Sequence, residues 1–96
     1  MNLSDHYQVD SEVTFQKLED ATVLVHLTTG RIHHTNATGS RVWELLEAGR
    51  SVGEILETLQ TEFEASGEQL QAEVGQFLEQ LSTENMIHPA GAKLEG

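Results

Sequence analysis

Three histidines carry the most suggestive chemistry in this chain. His26, His33 and His34 are of the type that ligates zinc or copper. If a hairpin turn centres on Thr29-Gly30, His26 lies opposite His33. Adjacent strand residues point to opposite faces, however, so His33 and His34 cannot both join that pair. The chain has no cysteine, and no carboxylate stands where it would complete a site. The histidines are expected to line a polar sheet face or touch a peptide, without a metal or other cofactor.

Other reactive sets are weaker still. Nucleophilic catalysis needs a nucleophile, a base and an orienting group held together. Ser51 and Ser66 fall instead at helix starts, where capping accounts for them. Gly39 and Gly49 are isolated, so no glycine-rich phosphate loop is present. The expectation is a protein without catalysis.

The elements that must position these residues follow from hydrophobic period. From Glu12 the pattern alternates through Val13, Phe15 and Lys17, turns at Leu18–Ala21, and alternates again through Val23, Val25 and Leu27. Gly30 can take positive φ in the next turn, and Arg31–Thr35 forms a short third strand. The result is an antiparallel meander with the second strand in the middle. Leu27 is expected opposite Ile32. Val23, Val25, Leu27, Ile32 and His34 are expected to face the helices, leaving Thr22, Leu24, His26, His33 and Thr35 on the open face.

Period 3.6 takes over after Asn36. Asn36 or Thr38 caps a helix holding Val42, Trp43, Leu45 and Leu46, which Ala48-Gly49 stops. Ser51 and Glu54 form a capping box for a second helix with Val52, Ile55, Leu56, Leu59 and Phe63 inward. Ser66 opens a third helix with Leu70, Val74, Phe77, Leu78 and Leu81. Met86 and Ile87 close the core. The fold class is α+β: a three-stranded antiparallel sheet followed by three helices, winged-helix-like. Residues 1–11 are expected as a flexible N-terminus, 12–88 as one domain and 89–96 as a flexible tail.

Charge narrows the partners. Sixteen acids against five Lys and Arg give net −11, which repels nucleic-acid backbones. Arg31, Arg41 and Arg50 cluster around the Gly30–Leu46 stretch and could meet an acidic or polar partner segment, or merely be solvated. No apolar run approaches the ~20 residues of a membrane span, and no signal peptide is visible. A cytoplasmic protein is expected.

The order of elements and several short motifs resemble the PqqD-like family of precursor-recognition domains in ribosomal peptide biosynthesis. The likeness runs from about Glu12 to Ile87. It rests on Gly30, the Asn36-x-Thr38-Gly39 step, Val42-Trp43-x-Leu45-Leu46, Ser51-Val52-x-Glu54-Ile55 and Phe77-Leu78-x-x-Leu81. The resemblance implies a non-catalytic, leader-binding adaptor. In that family the leader adds as a strand to the third strand and lies against the third helix. The domain then presents the precursor to a processing enzyme, such as a leader peptidase or a radical-SAM enzyme. Stand-alone members of this size look like those of lasso-peptide pathways. The chain departs from the family at His33-His34 and Thr35, where more apolar residues are usual, so its third strand is unusually polar.

The expected peptide-binding residues are therefore Arg31, Ile32, His33, His34 and Thr35 on the strand, and Gln69, Glu73, Gln76, Phe77 and Gln80 on the helix. An open edge binds an extended peptide through its backbone, and side-chain pockets add selectivity. Gln69, Glu73, Gln76 and Gln80 follow i, i+4, i+7, i+11, one continuous helical stripe. A free edge also permits a monomer or an edge-strand homodimer. The alternative is a winged-helix transcriptional regulator, which the net charge and the glutamate-bearing third helix oppose.

Overall fold

The computed structural model describes residues 2–90. Eight elements follow in order: β1 (Tyr7–Val9), β2 (Val13–Leu18), β3 (Ala21–His26), β4 (Ile32–His34), α1 (Ala37–Glu47), α2 (Val52–Glu62), α3 (Gly67–Thr83) and β5 (Ile87–Pro89). The expected meander is β2-β3-β4, antiparallel with β3 in the centre, and three helices follow it.

A second sheet was not expected. β1 pairs antiparallel with β5 in the register Tyr7↔Pro89, Gln8↔His88 and Val9↔Ile87. The expectation of a loose segment up to residue 11, and of a tail from residue 89, is corrected at Tyr7–Val9 and at Pro89. Residues 91–96 of that tail lie outside the described residues. Strands of three residues are too short to show a period, and their hydrogen bonds come from the far end of the chain. The N-terminal segment also finishes α2. Carbonyls of Asp5 and Leu3 accept from Val52 N (2.9 Å) and Gly53 N (2.8 Å), groups a helix start leaves without partners.

The meander reverses one expectation. Val25, not Leu27, lies opposite Ile32, and Leu24 lies opposite His33. The connection Leu27–Gly30 is one full loop, closed by Gly30 N donating to His26 O at 2.8 Å with Gly30 at φ +78°. The register moves by an even step, so the two face sets survive. Their orientation does not. Thr22, Leu24, His26 and Thr35 are buried against the helices, while Ile32 is 60% and Leu27 63% exposed.

Chemistry explains the reversal. Leu24 is fully buried, and its neighbour Phe15 meets Trp43 edge-on at 5.9 Å between ring centroids. The buried polar members of this face, Thr22, His26 and Thr35, find partners. Thr22 Oγ1 lies 2.5 Å from Ser40 Oγ, and Thr22 N donates to Thr35 Oγ1 at 3.0 Å. His26 Nδ1 accepts from Thr28 N and Thr29 N, each at 3.3 Å. Buried polar groups with partners cost little.

The helices supply most of the core as expected. Val42, Trp43, Leu45, Leu46, Val52, Ile55, Leu56, Leu59, Leu70, Val74, Leu78 and Leu81 are buried, with Met86 and Ile87 closing the cluster. Full burial of one such aliphatic side chain contributes about 1.5–3 kcal/mol. Asn36 caps α1, Ser51 and Glu54 form the capping box of α2, and Ser66 caps α3. Ion pairs lace the surface: Glu44 is held by Lys17 and Arg41, and Glu62 by Arg41 at 2.9 Å. Lys17 first, then Arg41, keeps the Glu44 carboxyl below the usual carboxylate range. Arg41 is thereby engaged within the fold by Glu44 and Glu62, neither merely solvated nor left for a partner segment.

Candidate peptide-binding groove

Among the described residues β4 is an edge strand, paired only with β3. His26 N donates to Arg31 O at 2.9 Å, and Thr35 N donates to Thr22 O at 2.9 Å. Antiparallel pairing alternates, so Arg31, His33 and Thr35 spend their backbone groups on β3. Ile32 and His34 turn theirs to the open edge. Those two residues are the ones able to accept an added strand through the main chain.

Thr35 ends the strand and is not a surface contact. It is 7% exposed and tied to Thr22 through its N–H and its hydroxyl. Asn36 follows directly, and its side chain accepts from Gly39 N at 2.8 Å. The chain thus passes from edge strand to helix without slack, which fixes β4 relative to α1.

The second wall of the groove is α3. Glu73, Val74, Gln76, Phe77 and Gln80 line a cavity of about 230 Å³. Four of the five helix residues expected at the site are among them. Gln69 is not; it lies nearer the helix start, where its Nε2 donates to Glu73 Oε2 at 3.5 Å. The opposite wall comes from α1: Asn36, Thr38, Gly39 and Val42. On sequence, Asn36 and Thr38 read as capping residues, and Asn36 does cap. The Asn36-x-Thr38-Gly39 motif was the available signal for this wall.

His33 and His34 are separated by the pleat. The His33 ring packs on Phe77 at 5.7 Å, and its Nδ1 lies 3.4 Å from Glu84 Oε1. Glu84, just past α3, gave no signal in the sequence because only the tertiary fold brings it to the strand. His34 is exposed on the outer face with Ile32. Arg31 is exposed at the head of β4, with its N–H donating to Thr29 Oγ1 at 3.2 Å.

His26 takes no part in the groove and does not face His33. Its Nε2 lies 3.8 Å from Asp10 Oδ1, and Asp10 Oδ2 meets His88 Nε2 at 2.6 Å. This link joins the two sheets. The His88 hydrogen bond, then the Glu12 N–H, holds the Asp10 carboxyl below its usual range. Among the described residues no three His, Asp or Glu side chains are grouped to hold a metal ion.

Among the described residues the geometry leaves two N–H and two C=O groups unpaired on this edge, beside a side-chain pocket. An edge of this kind can add an extended chain. No helix among the described residues is long and apolar enough to cross a membrane.

No curated protein matches this chain. Solved structures do. "TbiB1 in Complex with the TbiA(beta) Leader Peptide" is 28% identical, with TM-score 0.78, covering 88% of this chain and 95% of that one. "Lasso peptide synthetase B1 complexed with the leader peptide" shares the fold at 18% identity and TM-score 0.78, covering 88% and 99%. The family described as Coenzyme PQQ synthesis protein D (PqqD) matches residues 21–87, from the start of β3 through α3 to Ile87. On that match, which spans the groove and most of the chain, the protein belongs to the PqqD family.

Proposed function

We propose that this chain is a non-catalytic adaptor that captures the leader of a ribosomally made precursor peptide. The leader adds as a strand to β4, against α3, and is presented to a leader peptidase or a radical-SAM enzyme. The open main-chain groups of Ile32 and His34 beside the α1–α3 pocket carry this reading. The fold shared with two B1 proteins solved with leader peptides supports it. Within the site Ile32 and His34 supply the backbone edge, while Phe77, Glu73, Gln76 and Gln80 receive side chains. His33 orders Phe77, Thr35 anchors the strand, and Arg31 meets a leader carboxylate at the end of the groove. Gln69 lies at the margin. The site of action is the cytoplasm, where precursor peptides are made. Exposed glutamates along α3 oppose the regulator alternative.

The test is a titration of labelled TbiA(beta) leader peptide, the leader named for the similar TbiB1 structure. A labelled DNA duplex is run in parallel. Saturable leader binding is expected, weakened about tenfold or more in Ile32→Pro, which removes one edge donor. DNA binding that falls steeply with salt, with no leader binding, would overturn the proposal.

A further inference from the structure

Gly39 stands third in α1, where the backbone is helical and has no need of glycine. In a helix, glycine costs up to about 1 kcal/mol relative to alanine. Its reason lies in what a side chain there would meet. A Cβ at residue 39 would stand 3.1 Å from Thr35 Cβ, 3.3 Å from Asn36 Oδ1 and 3.4 Å from Phe77 Cε1. Thr35 is locked by its hydrogen bonds to Thr22, and Asn36 Oδ1 is committed to the helix cap. The 3.4 Å approach to Phe77 is ordinary contact, so the crowding falls on Thr35 and Asn36. Gly39 itself lines the pocket, across from the half-buried Phe77 ring.

We infer that Gly39 is a specificity-determining residue: its missing side chain sets the size of the peptide side chain that the α1–α3 pocket admits. The inference rests on the proposed strand addition at β4. Gly39 and Val42, with the polar Asn36 and Thr38, form one wall, Val74 and Phe77 the other, and the α3 glutamines and Glu73 form a polar rim. A strand lying on Ile32–His34 turns alternate side chains inward, toward α3. The pocket lies beside Asn36, at the end of that strand, so one inward side chain reaches it. At about 230 Å³ it falls below the roughly 300 Å³ at which small-molecule sites begin. It suits a single bulky side chain with an apolar body and a polar tip. A methyl at residue 39 takes up part of the pocket directly and crowds its Asn36 edge.

The experiment uses the tightest binder from a displayed library of random peptides, remade with a fluorophore, together with a panel carrying alanine at each position in turn. Wild-type protein is expected to show one position where alanine costs about tenfold or more, the scale of a lost bulky contact. Gly39→Ala is expected to bind the parent about tenfold more weakly, as overpacking by one methyl predicts. Against that variant the alanine peptide at the same position should bind as well as the parent or better. An unchanged ranking of the panel, with a uniform loss or none, would overturn the inference and leave Gly39 a structural residue. Val42→Ala widens the same pocket from the next turn and serves if Gly39→Ala fails to fold. It should shift preference toward a larger side chain at that one position, and an unshifted profile contradicts the inference. If wild-type protein selects no peptide at all, it is the proposed function that fails.

Discussion

The two faces of the β2-β3-β4 sheet invert ordinary expectation. The face packed on the helices holds Thr22, His26 and Thr35 around Leu24, whereas the face turned to solvent holds Leu18, Val23, Val25 and Ile32. Ile32 is 60% and Leu18 50% exposed. Counting apolar residues therefore picks the wrong face. What decides is whether each polar group finds a partner inside, and where the next element must begin. Thr22, Thr35, Ser40 and His26 are satisfied within the fold. The link from Thr35 to the Asn36 cap brings α1 over the Thr22–Leu24 side. An apolar outer face is tolerated because folded proteins commonly leave apolar surface in water.

The contrast can be broken most forcefully at Leu24. Leu24→Ala on the inner face should lower stability by about 2–5 kcal/mol in urea unfolding. A result below about 1 kcal/mol would mean that the sheet packs the other way round. Thr22→Val comes next. It keeps the shape but strands the Ser40 hydroxyl, and it should cost about 1–3 kcal/mol in the same measurement.

A smaller effect belongs to the Asp10 link between the two sheets, read as a pH dependence. Asp10 has a depressed folded-state pKa, so its contribution is complete above the unfolded value of about 3.9. That contribution fades as the pH falls through the lowered folded value. Asp10→Asn should be less stable than wild type at neutral pH, and the gap should close in acid. A constant gap from neutral pH into acid would show that the carboxylate is not the link. The smallest effect is expected on the outer face, where Ile32→Ser should change stability by no more than about 0.5 kcal/mol. A loss as large as that of Leu24→Ala would contradict its exposure.

The helices and their caps were legible because their signals are local. Ser51 with Glu54, Ser66 with Gln69 and the apolar stripes each lie within a few residues. β1 and β5 were not legible, since nothing near Tyr7 announces Pro89 as its partner. The faces of the meander were half legible. Period two sorted the residues correctly, but no local signal says which set is inside. At the groove, the α3 wall from Glu73 to Gln80 was readable as a stripe. The α1 wall hid behind capping chemistry, and Glu84 reaches His33 only through the tertiary fold.

Backbone hydrogen exchange, residue by residue, tests strand addition most directly. In the free protein the Ile32 and His34 amides face the open edge and should exchange fast, while the His33 amide, paired with β3, should be protected. Saturating leader peptide should slow Ile32 and His34 and leave His33 little changed. Saturable leader binding with Ile32 and His34 still exchanging freely would contradict strand addition at β4.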